Sequence, residues 1–154
     1  MSKGIVIKDE EVSSSLLLVA FDPTLVALVE WLEVKYGIYF TQGFRKKSHP
    51  YDVHSVIPCR GIDCRSRIYN TDKQTADQVA DDINKNWEYD PHRPNKKCCV
   101  FHAKCPKCGT SNKAPFHAKC SKCDRDITDC WHFHLQSHPN TTYIGDTNDS
   151  PKTR

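Results

Sequence analysis

The 154-residue chain reads as an α+β domain, a small antiparallel sheet with flanking helices. Three observations carry that expectation. Two segments place apolar residues at helical spacing. Several short runs are rich in aromatic and β-branched residues or alternate apolar with polar. Short loops join the strands toward the end, which favours this class over a bundle or a sandwich.

Taken in order, residues 1–21 form a lead-in with at most one strand. Asp22 is a good N-cap and Pro23 suits the first helical position. In "TLVALVEWLEVKY" the residues Leu25, Leu28, Val29, Leu32 and Tyr36 share one face, and Gly37 stops the helix. "IYFTQGF" (38–44) reads as a strand. A polar loop, "RKKSHPYDVHSVIPCRG", leads to a second strand in "IDCRSRIY". Thr71 or Asp72 is expected to cap the helix "KQTADQVADDINKNW", with Ala76, Val79, Ala80, Ile83 and Trp87 inward. "EYDPHRPNKK" is rich in turn residues, and "CCVFH" (98–102) is a short strand. In "DCWHFHLQSHP" (129–139), Trp131, Phe133 and Leu135 alternate with His132, His134, Gln136 and His138. Period two gives one apolar face and one lined with imidazoles. The main domain spans 22–142, and the polar residues 143–154 read as a disordered tail.

Composition narrows the classes. A net charge of +3 is too small to argue for nucleic acid by itself. No run approaches a membrane span, and "SSSLLLVAF" follows acidic residues rather than the basic start of a secretory signal. The expected compartment at synthesis is therefore the reducing cytoplasm, where nine cysteines suggest metal before disulfides.

One segment repeats. "FHAKCPKC" (101–108) recurs as "FHAKCSKC" (116–123). Cys105, Cys108, Cys120 and Cys123 thus form two CxxC knuckles that complete a four-thiolate zinc site. Such a closed site serves folding, so a zinc ribbon is expected as an insertion at about 103–126. His102 and His117 precede the knuckles and are expected to pack rather than ligate. Cys59, Cys64, Cys98, Cys99 and Cys130 read as small buried residues.

A second metal set emerges around the histidine strand. His54 and Asp63 lie in a loop-to-strand passage, and a carboxylate with an imidazole suits zinc. With one histidine of "HFH" they make three protein ligands. That leaves a fourth position, as in catalytic zinc. Arg45, just beyond a strand, can polarise a carbonyl or anchor a carboxylate.

Three segments, "TQGFR", "HSVIPCRGID" and "HFH", together resemble the zinc peptidases of the D-alanyl-D-alanine carboxypeptidase and hedgehog-type superfamily. "DVHSVIPCRGIDCR", "INKNWEYDPHRP" and "WHFHLQSHPNT" resemble a phage-encoded murein peptidase branch of it, over about residues 22–142. The resemblance implies a hedgehog/DD-peptidase-like fold and a catalytic zinc on His54, Asp63 and His134, in addition to the structural zinc that the knuckles suggest; the superfamily does not require the inserted ribbon. It implies that His132 stands beside the reacting centre and that Arg45 binds a substrate carbonyl or carboxylate. The substrate implied is a peptidoglycan peptide, cut by an endopeptidase or a carboxypeptidase that reaches the wall after release or on a virion. Two departures stand out. His54 and Asp63 are nine apart where the superfamily has seven. "DCWHF" also fits an ExxH version, with His132 as ligand and Asp129 as proton carrier; "HFHLQ" fits the HxH version directly.

A different class of function remains open from the residues alone, a zinc-binding module whose ribbon contacts nucleic acid or protein. Lysines surround the knuckles, but stacking aromatics are sparse there and Asp124, Asp126 and Asp129 follow closely. That balance argues against nucleic acid. A third reading is a peptidase fold that binds without cutting. Nothing in the sequence speaks to oligomeric state.

Overall fold

A computed structural model describes residues 5–8, 20–43 and 52–151. Its first long element is α1 (Pro23–Tyr36). Asp22 Oδ1 accepts from Thr24 N–H at 3.0 Å and Leu25 N–H at 3.3 Å, and Pro23 needs no such partner. Gly37 ends the helix at φ 79°, a conformation that side chains resist, and its N–H donates to Glu33 O. Leu25, Leu28, Val29, Trp31 and Leu32 are buried. The second helix, α2 (Ala76–Asn86), begins later than the sequence suggests. Its cap is Thr75, not Thr71 or Asp72. Thr75 and Gln78 bond reciprocally as a capping box, whereas Thr71 N–H donates to Gln74 O in a turn before the helix. The inward set is the expected one, Ala76, Val79, Ala80 and Ile83.

The strands are β1 (Ile5–Ile7), β2 (Ile38–Gln42), β3 (Gly61–Arg65), β4 (Trp87–Glu88), β5 (Cys99–Lys104), β6 (Ser111–Lys113), β7 (Trp131–Gln136) and β8 (Thr142–Tyr143). Six form one sheet in the order β1-β2-β3-β7-β5-β6. The expected α+β class holds, but the sheet is mixed rather than antiparallel, because β1 lies parallel to β2. β4 and β8 pair separately. Tyr143 therefore belongs to a strand, and a 3₁₀ turn follows at Thr147–Asp149. Tyr143 and that turn fall in the stretch whose polarity suggested a disordered tail.

Alternation along β7 divides the sheet. Trp131, Phe133 and Leu135 join Ile62, Cys64, Cys99 and Phe101 and the buried faces of both helices in one core. Tyr69 stacks on Phe133 at 5.0 Å. Asn84 on α2 brackets the start of β5, donating to Cys99 O at 2.8 Å and accepting from Cys99 N–H at 2.9 Å. Cys59, Cys64, Cys98 and Cys99 are buried and Cys130 half-buried. Burial pushes the Cys98 thiol up to about 12 and raises those of Cys64 and Cys99 as well, so these cysteines are inert packing groups. Among the described residues no helix is long and apolar enough to cross a membrane.

The ribbon is continuous with this sheet. β5 runs directly into Cys105 and pairs with β6 on one side and β7 on the other. The sequence repeat is also a structural one. Cys105 N–H donates to Thr110 O as Cys120 N–H does to Arg125 O, at 2.9 and 2.7 Å. Gly109 N–H and Asp124 N–H close the two turns onto Cys105 O and Cys120 O, and both residues have positive φ, 72° and 58°.

Candidate metal centres and the cleft beside them

The polar face of β7 carries His132 and His134. The register sets Asp63 opposite His134, and Arg65 opposite His132. On the other side of β7, His102 stands opposite His132. His54 arrives from the loop before β3. That loop is closed by Arg60 N–H donating to Val53 O at 3.1 Å, and Asp52 Oδ1 accepts from His54 N–H at 3.0 Å. Gly61 makes room for the ring. A Cβ there would stand 2.6 Å from Val53 Cγ2 and 3.3 Å from the His54 ring.

His54, Asp63 and His134 converge. Asp63 Oδ1 is 2.9 Å from His134 Nδ1 and 3.2 Å from His54 Nε2, and the two nitrogens are 3.1 Å apart. Ligand atoms on a tetrahedral zinc, with bonds of about 2.0 to 2.1 Å, lie about 3.3 Å from one another. The triangle matches that spacing within a few tenths of an ångström. His54 Nδ1 donates to Gly43 O at 2.9 Å, since a carbonyl only accepts. In the neutral ring its Nε2 then turns a lone pair to the centre of the triangle, and it donates to Asp63 Oδ1 only when the ring is protonated. Burial works against the Asp63 carboxylate, but hydrogen bonds from His134 and His54 outweigh it and hold its pKa well below the usual range. A carboxylate oxygen and an imidazole lone pair thus point at one spot, and only a proton or a cation between them relieves their repulsion.

The four ribbon cysteines also converge. Cys105 Sγ lies 3.5 Å from Cys123 Sγ, and Cys108 Sγ 3.6 Å from Cys120 Sγ. All four sulfurs lie within 4.8 Å of one another. Sulfurs on a tetrahedral zinc would be about 3.8 Å apart. The backbone N–H of Lys122, with further help from Cys123 N–H and the Asn112 amide, draws Cys120 down to about 6. The N–H of Arg125 favours a thiolate at Cys123 too, yet burial and the other sulfurs push it up to about 11. Four sulfurs this close cannot all ionise without a cation among them. Both groups fit a metal ion. His117 stays outside the sulfur cluster, packed at 5.1 Å from the Trp131 ring.

The remaining expected residues fall as follows. His132 Nδ1 donates to Cys130 O at 3.1 Å, which leaves Nε2 as the basic nitrogen. Asp129 is 88% exposed, pairs with Arg67 at 3.6 Å and lines the same cleft as Asp63, though it is not one of the three converging groups. Arg45 lies outside the described residues. His138 leaves the imidazole face once β7 ends at Gln136, and pairs with the buried Asp90 at 3.6 Å. A cleft of about 560 Å³ adjoins the cluster, lined by Asp63, His132, Arg65, Arg67, Thr41 and Gln42 among others.

Two members of this face were not recognisable as such from the sequence. His102, expected simply to pack, does so against His132, with ring centres 4.4 Å apart. Burial, and then repulsion from His132 and His134, lowers its pKa to about 4, so it is neutral at pH 7. Arg65 sits two residues beyond Asp63, and its guanidinium lies 4.3 Å from the Tyr39 ring centre. The i+2 spacing from Asp63 was the available signal for Arg65. Compared with protein-family profiles, with curated proteins and with solved structures, the chain matches none of them.

Proposed function

We propose that this protein is a zinc-dependent hydrolase of amide bonds in peptidoglycan peptides, with the catalytic ion on His54, Asp63 and His134 and a structural zinc on the four ribbon cysteines. The observation that carries the reading is the triangle of 2.9, 3.1 and 3.2 Å beside a cleft that His132 also lines. Three ligands leave one coordination position for chemistry, whereas four thiolates leave none. A zinc ion held there supplies Lewis acidity, polarising a scissile carbonyl and bringing the pKa of water toward neutrality.

The chain's own residues do the rest. Gly43 O fixes the His54 tautomer, and Asp63 stays ionised. His132, oriented by Cys130 O, takes and returns the proton through Nε2. Asp129 is the weaker candidate for that role, because it is solvated and turned toward Arg67. The peptidoglycan substrate rests on the resemblance of "TQGFR", "HSVIPCRGID" and "HFH" to the murein peptidases, not on the geometry.

The test is hydrolysis of purified peptidoglycan peptides by the zinc-loaded protein, read as newly exposed amino groups. His132→Ala should keep both metals and lose about 10²- to 10⁴-fold in rate, the scale of a positioned proton carrier. A wild-type protein that holds both metals yet releases nothing would count against the peptidase and favour a binding role for the same fold.

A further inference from the structure

We propose that Arg65 anchors a carboxylate of the substrate in the cleft beside the His54–Asp63–His134 cluster. The proposal rests on the hydrolase reading and adds a chemical requirement to it. Asp63 and Arg65 are i and i+2 on β3, so they share a face, about 6 to 7 Å apart along the strand. His134 and His132 stand opposite them on β7. The four side chains form a square, with the metal pair at one edge and the proton carrier and an arginine at the other.

Arg65 is half-buried, and its guanidinium meets an aromatic ring, not an acid. Among the described residues no carboxylate pairs with it. Tyr39 holds the planar group from one side by a cation–π contact. That contact restrains the guanidinium from one side, and Arg65 lines the cleft. Arg67 lines the same cleft, but it already faces Asp129. An arginine fork matches a carboxylate through two parallel hydrogen bonds. Sites for phosphate usually add a helix N-terminus or a nest of backbone N–H groups, and among the described residues no α-helix N-terminus lines this cleft. The spacing from Asp63 to Arg65 corresponds to one or two residues of extended peptide. The carboxylate would therefore lie close to the bond that is cut, as a chain terminus or as an acidic side chain.

Two matched pairs of probes distinguish those sources. N-acetyl-alanyl-alanine is compared with its C-terminal amide, and N-acetyl-glutamyl-alanine amide with the glutaminyl counterpart. Binding to the zinc-loaded protein is followed by NMR titration before turnover accumulates. In at least one pair the acid should bind about tenfold tighter or better, as charge-assisted bidentate bonds allow. Arg65→Gln should reduce that ratio to about one while the protein keeps both zinc ions, and Arg65→Lys should retain only part of it. If Arg65→Gln does not fold, Tyr39→Leu decides, since freeing the fork should also weaken the preference. No acid preference in either pair, or a preference untouched by these changes, overturns the proposal. Hydrolysis without acid preference would count against Arg65 alone. Acid preference without hydrolysis would count against the hydrolase reading alone.

Discussion

The smallest residue near the cluster is among its most constrained. Gly61 carries no functional group, yet its missing Cβ is what lets Val53 and the His54 ring close over the start of β3. Gly61→Ala would force Val53 aside and displace His54, which is fully buried. Overpacking of this kind costs about 1 to 3 kcal/mol. Part of that should appear as weaker metal affinity at the His54–Asp63–His134 cluster, roughly tenfold if about 1.4 kcal/mol falls on the ligand. Competition with a chromophoric chelator would measure it. An affinity equal to wild type would mean that the loop relaxes without moving the ring. At this scale the sequence was legible where residue chemistry alone decides. The knuckle cysteines, His54 and Asp63 could be singled out from their types and spacing. Arg65 is reachable only through its i+2 spacing from Asp63, and His102 not at all, because its significance lies in cross-strand register. His102 faces His132 only because β5 pairs with β7 at that offset.

Elements are joined by a few polar contacts whose effect depends on pH. Asp82 on α2 accepts from Tyr36 Oη at 2.6 Å, pairs with Lys35 Nζ at 2.9 Å and accepts from Asn86 at 3.1 Å. Burial opposes ionisation of Asp82, but the Tyr36 hydroxyl and the Lys35 ammonium outweigh it and lower its pKa. A depressed carboxylate contributes stability above its unfolded value, about 3.9. That contribution is lost as pH falls through the lower folded value. Asp82→Asn should therefore cost about 1 kcal/mol near neutrality, a figure already reduced for partial exposure. It should also flatten the fall in melting temperature below about pH 4. An equally steep acid limb in the variant would show that other carboxylates govern it. The ribbon is the other element-scale case. Cys120→Ser should abolish one metal equivalent and remove amide-exchange protection across 105–126, because both knuckles close on the same cluster. Unchanged metal content would refute the four-thiolate site. Helix limits are legible from capping chemistry at Asp22 but not at α2, where Thr71 and Asp72 suit a cap by type and the reciprocal Thr75–Gln78 bonds set the start.

Across the whole molecule, one sheet serves two purposes. Its apolar face is covered by α1 and α2, and its polar face gathers groups from β3, β5, β7 and the loop at 52–60. Alternation along "WHFHLQ" makes that division legible in the sequence. The parallel addition of β1 to β2 was not legible, since three residues carry no periodicity and parallel pairing depends on where distant chain returns. Nor was the shape of the nine-residue step from His54 to Asp63. Its path depends on Asp22 N–H donating to Cys59 O and Cys59 N–H to Ala20 O, contacts between segments far apart in sequence.

The central claim is that His54, Asp63 and His134 hold a metal ion distinct from the one in the ribbon. The most direct measurement is the number of zinc ions per chain in wild type and in His134→Ala, before and after mild chelation. Two per chain are expected for wild type, with one removed by the chelator and one retained, because a three-ligand site exchanges more readily than four thiolates. His134→Ala should hold one, and chelation should leave it in place. A wild type with a single, chelator-resistant zinc, or a His134→Ala protein that still binds two, would contradict the account.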